Sequence, residues 1–535
     1  MKNTFLMAFT WIVILSTLLP GLNHGIWRPD EPQVAGISSE VARTGDFVVP
    51  RLNGTPFLEK PPLYYDAAAI SALVFGTESD VSYRLVSVMF GLLTILIVFA
   101  MVRRRSGTHA GLAAAGILAS TWGFFMSARW IQVDSALVFF TTLAVYLYMK
   151  VREKPSLPVS MLLGLALGLS FMSKGLVGPA IFISALFMDI IVKRDPGLVW
   201  RINPITAGVF ACLPVLPWVA GLYSQGGWPF LRETLIVNNF MRFLGSPEGA
   251  ALGHQHGPLY YLTNLPSDVL PWTLIMIPAL VTSIRNYRKD PYLSWFVAPF
   301  ILLSLSSTKR SVYLVPLFPA LACIAAQWLM NGAERRPWER IMTGATWVIA
   351  LVGCLAPFAG ILLHLPVLSI AMGLLSLSVL AVLRHRGIFE TLRPLSLVLI
   401  VCIGMTVTMS VYFSAMKPRE DYLGIAREML ALSQDRQISI YLGENEILDG
   451  VLPMVKGGTC PMKKAGDDLP AGLYAWVETR EAPVAGDISR EGNVKVLIQR
   501  RIGNKNAVLA EFVPFGLPLL PAGRLPKAYG HEPPS

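Results

Sequence analysis

The stretch MKNTFLMAFTWIVILSTLLPGLNHGIWRPDEPQ, residues 1–33, decides how the rest of the chain is read. An apolar run that begins near Phe5 is long enough to cross a bilayer, for which about 20 residues suffice. No small-residue cleavage site precedes the charged segment, so the run reads as a retained first helix and not as a cleaved signal. Two adjacent acids, Asp30 and Glu31, follow it directly, with Pro32 behind them. A second charged cluster, FLEKPPLYY, comes soon after and carries Glu59 and Lys60. Carboxylates and a lysine held where water meets lipid are costly and call for a use.

Composition supports the membrane reading. Of 535 residues, 53% are hydrophobic and only 15% charged, with a mean hydropathy of +0.53. A soluble domain carries roughly 25% charged residues. Candidate spans lie at about 4–22, 82–102, 110–128, 133–150, 158–174, 176–192, 203–223, 267–284, 291–306, 312–330, 341–363, 366–383 and 395–416, thirteen in all. The expected fold class is therefore a polytopic α-helical membrane protein.

The loops orient it. With a cytoplasmic N-terminus, every second loop is short and basic: Arg103–Arg105, then Lys150 to Lys154, Lys193 to Arg201, Arg285 to Lys289, Arg335 to Arg340, and Arg384 with Arg386. This alternation is what the positive-inside rule demands. It accounts for the net charge of +11 without nucleic acid as a partner. Two long polar stretches, 23–81 and 224–266, then fall outside, as does everything from Lys417. The expected domains are a transmembrane domain over 1–416 and a small external α/β domain over 417–535. In the latter, REDYLGIAREMLALS has helical spacing, QISIYLG and NVKVLIQRR read as strands, and the Pro-rich end reads as disordered. Five scattered cysteines show no CxxC or Cys/His spacing, so neither a disulfide framework nor a thiolate metal site is indicated. No internal repeat is apparent, which argues against transporters built from duplicated halves.

Several charges lie on the external side, where the positive-inside rule does not place them. Lys60, Arg129, Lys174, Arg242, Lys309 and Arg310 all fall at or near external helix ends. Each alone could be a snorkelling anchor. Together they suit an anionic target, and phosphate matches the planar fork of arginine and the compact charge of lysine. Asp30, Glu31, Glu59 and Asp134 share that face. Asp134, in ARWIQVDSALVFF, opens an apolar helix, where an N-cap role is the plain alternative. Tyr313, in SSTKRSVYLVPLFPALA, stands where its hydroxyl could reach a phosphate oxygen or serve only as an interfacial aromatic. His254 and His256, in GHQHGP, form the one close histidine pair, and with Glu59 a His/Glu metal site is chemically possible.

The ordered set of the Asp-Glu pair, the EKP and KRSVYLVPLFPALA resembles the polyprenyl-phosphate-dependent glycosyltransferases of the protein mannosyltransferase superfamily. Within it, the likeness is to the aminoarabinose transferases of lipid A. The resemblance covers roughly residues 1–330. It implies a C-type glycosyltransferase fold, with about 13 transmembrane helices and a small C-terminal periplasmic domain. The function it implies is sugar transfer from a polyprenyl (undecaprenyl) monophosphate carrier to lipid A at the periplasmic face of the bacterial inner membrane. Transfer to Ser or Thr of a protein, or lipid or solute transport, are the alternatives. Carried over by motif, Asp30 is the acid that activates or orients the acceptor, Asp134 the second acid, and Glu31 stands with them in the catalytic set. Lys60, Lys174, Arg242, Lys309, Arg310 and Tyr313 meet the carrier phosphate. The resemblance also implies a divalent metal (zinc, magnesium or manganese) between Glu59 and a loop histidine, with His254 and His256 both open. Where these transferases read Asp-Glu-x-Arg-Tyr, this chain has Gln33 and Val34, so one candidate phosphate or sugar contact is missing.

Overall fold

The computed structural model describes residues 2–26, 30–245, 255–331, 340, 344, 348, 370, 374, 393–442, 447–464, 466–479, 484, 488–489, 491–502 and 505–515. The expected spans at 341–363 and 366–383, apart from single positions, and the Pro-rich end and His254 lie outside the described residues. Contacts divide the chain into two compact units, Met1–Asp421 and Tyr422–Ser535; the sequence expectation drew this division at 416/417.

The first unit is helical. After α1 (Lys2–Ser16), the segment expected as an external stretch folds into α2 (Asp30–Thr44), a two-residue hairpin β1–β2 (Arg51–Leu52 and Thr55–Pro56) and α3 (Leu63–Phe75). Then come α4 (Asp80–Ala119), α5 (Trp122–Ser127), α6 (Asp134–Glu153), α7 (Leu157–Lys174), α8 (Val177–Lys193), α9 (Leu198–Arg201) and α10 (Pro204–Leu231). Among the described residues, five helices are long and apolar enough to cross a membrane, at Asp80–Ala119, Asp134–Glu153, Leu157–Lys174, Pro204–Leu244 and Ser311–Met330. Shorter apolar helices include Thr273–Arg285 and Leu293–Leu305. The chain is a multi-pass membrane protein.

Two expected boundaries change. The spans read at 82–102 and 110–128 stand as two helical limbs on either side of a break at Gly107 (φ 86°), and the second limb stops at Ala119, short of 128. Residues 224–244, read as loop, continue α10 as helix. A kink at Gly227 and a π-helical segment, Arg232–Met241, carry it to Leu244. The polar residues of this segment look loop-like one by one, yet they lie on a helix whose other residues stay apolar.

Close packing inside the unit is written in small residues. A Cβ on Gly164 would come within 2.1 Å of the Ala207 carbonyl oxygen, and one on Gly168 within 2.3 Å of that of Ala211. The four-residue spacing of GLALG thus lets α7 and α10 meet backbone to backbone.

The second unit holds a five-stranded mixed sheet in the order β4-β3-β5-β7-β6, with β3 (Ile438–Leu442) parallel to β4 (Met462–Lys464) and β5 (Gly472–Thr479). β7 (Lys505–Pro514) runs antiparallel to β5 and to β6 (Gly492–Ile502). Helices Tyr422–Ser433 and Ile447–Lys456 complete it, and Tyr474, Trp476, Val508 and Phe512 form its core.

Candidate active site

Consecutive residues of a helix point about 100° apart, so the two acids that open α2 cannot share one environment. Asp30 is 36% exposed, and its Oδ2 accepts a hydrogen bond from Arg310 Nη2 at 2.5 Å. Burial pushes the Asp30 carboxyl up, but Arg310, with Lys60 and Lys174 adding, more than offsets that and holds it below the usual aspartate value. Asp30 is therefore ionised at neutral pH and is a weak base.

Glu31 turns inward and is 2% exposed. Arg84, itself fully buried, grips it with two bonds, Nε to Oε1 at 3.0 Å and Nη2 to Oε2 at 2.7 Å. The same guanidinium reaches Asp80 Oδ2 at 2.6 Å and donates to the carbonyls of Leu22 and Gly25. Glu31 Oε1 also accepts the Ile131 N–H at 3.1 Å, three residues before Asp134. This corrects the catalytic expectation for Glu31. Its oxygens are spent on the scaffold, where they tie the start of α2 to the loop that carries the second acid.

Asp134 is the first residue of α6, but it is not the cap; Val133 occupies that place, with no side-chain capping bond. Asp134 instead receives Lys174 Nζ at 2.5 Å on Oδ1 and Gln132 Nε2 at 3.1 Å on Oδ2. Lys174, the last residue of α7, lies over the Tyr313 ring at 4.2 Å. Arg310 is close enough to Asp134 and Tyr313 to feel both charges, which joins the two ion pairs into one cluster.

The hairpin brings Glu59 and Lys60 to this cluster. Glu59 pairs with Arg242 at 3.5 Å, while Lys60 lies over Phe57 at 5.7 Å and acts on Asp30 with no carboxylate of its own within salt-bridge distance among the described residues. The Arg242 Nε is buried without an acceptor. Lys309 departs from expectation. It is 2% exposed, and its ammonium donates to the His256 carbonyl at 2.9 Å and to the Ser306 carbonyl, so it straps the histidine loop down and does not face a phosphate. Arg129 is likewise structural, held between the Phe125 and Phe413 rings at 4.8 and 4.9 Å and donating to the Pro20 carbonyl.

Three residues of this cluster escape a reading of the sequence: Arg84, Asp80 and Tyr65. Tyr65 is fully buried, its hydroxyl has no partner, and burial with the nearby Glu59, Asp30 and Asp134 carboxylates holds that hydroxyl well above the usual range. The signal for Arg84 was present, since an arginine at the start of an apolar span asks for a partner.

The metal expectation finds little to hold an ion. Among the described residues no three His, Cys, Asp or Glu side chains gather. Glu59 already has Arg242 as its counter-charge, and the His256 ring is stacked on Tyr260 at 4.2 Å.

The family model for dolichyl-phosphate-mannose-protein mannosyltransferase matches residues 59–220, the part that holds Glu59, Lys60, Asp134 and Lys174. The undecaprenyl phosphate-alpha-4-amino-4-deoxy-L-arabinose arabinosyl transferase of Serratia proteamaculans is 29% identical over 337 residues, 61% of this chain and 60% of that protein. The transferase of the same name from Yersinia enterocolitica is 31% identical over 330 residues, 59% and 58% of the two chains. The chain resembles the undecaprenyl-phosphate aminoarabinose transferases. The match spans about three fifths of the length of these relatives. The crystal structure of ArnT from Cupriavidus metallidurans bound to undecaprenyl phosphate aligns with a TM-score of 0.78, covering 95% of this chain and 98% of that one at 20% identity. At that identity the likeness is one of fold, and the fold is the C-type glycosyltransferase fold.

Proposed function

We propose that the chain transfers a sugar from a polyprenyl monophosphate carrier, undecaprenyl phosphate, to lipid A at the periplasmic face of the bacterial inner membrane. The sugar of the similar transferases, 4-amino-4-deoxy-L-arabinose, is the first candidate, which would make the reaction a pentosyl transfer. In this reading the spans of the sequence analysis cross the inner membrane, and the Tyr422–Ser535 unit is periplasmic.

The observation that carries the reading is the pairing of the acids. Asp30 and Asp134 are each held by one cation, Arg310 and Lys174, and Lys60 beside them lacks a carboxylate partner. Cations shared in this way can pass to an arriving phosphate with their acids left in place. The carrier phosphate would be met by Lys60, Arg310 and Arg242, with Lys174 and Tyr313 behind them. When Arg310 turns to the phosphate, Asp30 loses its counter-charge and becomes the better base at the moment the donor is bound. The acceptor oxygen attacks the anomeric carbon, the bond from that carbon to the phosphate oxygen breaks, and the phosphate leaves with the electron pair. Asp30 takes the proton of a hydroxyl acceptor; an ionised phosphate acceptor needs only orientation. Cations fixed around the leaving phosphate supply the electrostatic term that usually dominates such steps. One displacement inverts the anomeric centre. These steps rest on carboxylates and cations alone, and a divalent ion at Glu59 would have to displace Arg242.

Carrier binding tests this division of labour. Lys60→Ala and Arg310→Gln are expected to weaken binding of undecaprenyl phosphate by about tenfold each, the worth of one charge-assisted contact. Asp30→Asn is expected to bind at least as tightly as the unmodified chain. Equal binding by all three variants would remove the phosphate from this cluster.

A further inference from the structure

The membrane unit has a second polar concavity, far from Asp30. Arg84 lies beside Glu31, and Arg105 follows on the same limb of α4 twenty-one residues later, a rise of about 30 Å, the thickness of a bilayer core. At that end a cavity of about 560 Å³ opens between α4 and the Thr273–Arg285 and Phe318–Met330 helices.

The lining is two-sided in character. Arg105, Lys289 and Asn286 offer donors, the Gln327 amide already donates to Ser106 Oγ at 3.1 Å, and Met330, half-buried, offers apolar surface. Arg105 Nη2 donates to the Lys289 carbonyl at 2.8 Å, which fixes the loop to the helix and leaves the rest of the guanidinium without a carboxylate. Lys289 likewise has no acid within salt-bridge distance among the described residues. Asp290, the one acid on the wall, is turned to its own loop, with Oδ2 accepting from Ser283 at 2.6 Å and Oδ1 from the Tyr292 N–H at 2.8 Å. A neighbouring concavity of about 250 Å³ shares Arg105 and adds Arg104, Lys150 and Arg152 to its rim. Two cations without acids among the described residues, on a cavity edged by Met330, describe a ligand with an anionic, oxygen-rich head and an apolar body.

We propose that this cavity binds the phosphodiester headgroup of an anionic glycerophospholipid from the leaflet opposite the Asp30 cluster. The phosphodiester meets Arg105 and Lys289, headgroup hydroxyls meet Asn286, and the glycerol ester region lies against Met330. A zwitterionic lipid brings its own ammonium to the same place and gains less. The positive-inside charges of this end thus do more than orient the chain; two of them build a lipid site.

The test uses the full chain in phosphatidylcholine nanodiscs, with and without phosphatidylglycerol, read by thermal unfolding and by native mass spectrometry. The unmodified chain is expected to retain phosphatidylglycerol preferentially and to gain stability from it. Arg105→Gln with Lys289→Gln is expected to lower that preference about thirtyfold, the worth of two interfacial cations. Lys289→Gln alone, which leaves the Arg105 bond to the loop intact, should lose part of it. Arg194→Gln with Arg288→Gln removes the same charge from the same end without touching either cavity, and should keep the preference. Equal loss in that control pair, or no preference in the unmodified chain, overturns the proposal. So does stabilisation in pure phosphatidylcholine discs by soluble glycerol phosphate that matches the effect of the lipid.

Discussion

Asp30 and Glu31 are neighbours in sequence and do different work, and their variants separate the two roles. Asp30→Asn is expected to cut sugar transfer by at least about a hundredfold, as loss of a positioned acid–base group does, with the melting temperature nearly unchanged because the side chain is partly exposed. Glu31→Ala leaves Arg84 buried with one acid in place of two and is expected to cost about 3–5 kcal/mol of stability, read by thermal or denaturant unfolding. If Glu31→Ala kept its stability and lost only activity, the buried role assigned to Glu31 would be wrong. Charge state gives a second pair of expectations. The Asp30 carboxyl sits below its unfolded value, so the stability it contributes is present above about pH 4 and disappears only as pH falls through its lowered pKa. The rate between pH 5 and 8 should therefore show no limb from Asp30 in the carrier-free enzyme. Asp66 on α3 behaves in the opposite sense. Burial, with Asp46 adding, pushes it up to about 8, and its Oδ1 has no partner. The folded chain holds this proton while the unfolded chain releases it near pH 4, so stability falls as pH rises from about 4 to 8. Asp66→Asn should raise the melting temperature more at pH 8 than at pH 5, and an equal effect at both would place the titration elsewhere. Residue chemistry was legible here as type, acids and cations on one face, but not as orientation. Nothing local tells that Glu31 points into the core or that the Lys309 ammonium closes on two carbonyls, because those outcomes depend on Arg84 and on the histidine loop, far away in sequence.

At the scale of elements, hydrophobic runs marked most helices and misplaced their ends. The stop at Ala119 cuts short the span read to 128, since apolar residues continue past the point where the backbone leaves the helix. The helix through 224–244 failed to show because its polar residues share a turn with apolar ones, and a π-helical segment has a period that neither strand nor α-helix patterns detect. GLALG is hidden inside the apolar run at 158–174, yet it sets the distance between α7 and α10. Gly164→Leu or Gly168→Leu should force these helices apart, at a cost above the 1–3 kcal/mol typical of overpacking, and lower the yield of folded protein in detergent. Normal yield and melting temperature in both would show that the close approach is not needed.

For the whole molecule, the alternation of basic loops carries the orientation, because charge asymmetry is a property of the full chain that no single misread helix erases. On that alternation, Arg104 and Asn264 are expected on opposite sides of the bilayer. In a background without native cysteines, Arg104→Cys should react with an impermeant thiol reagent only from the cytoplasm and Asn264→Cys only from the outside. With that orientation the carboxylates and cations would gather at the outer rim, where two lipid substrates confined to one leaflet would meet, and confinement itself would supply part of the rate. The most direct test is transfer by the purified chain from undecaprenyl-phosphate-linked aminoarabinose to lipid A, followed by mass spectrometry of the lipid, with Asp30→Asn and Lys60→Ala in parallel. The account predicts modified lipid A with the unmodified chain and its loss in both variants. Modified lipid A at undiminished rate from Asp30→Asn, or no release of undecaprenyl phosphate by the unmodified chain, would contradict it.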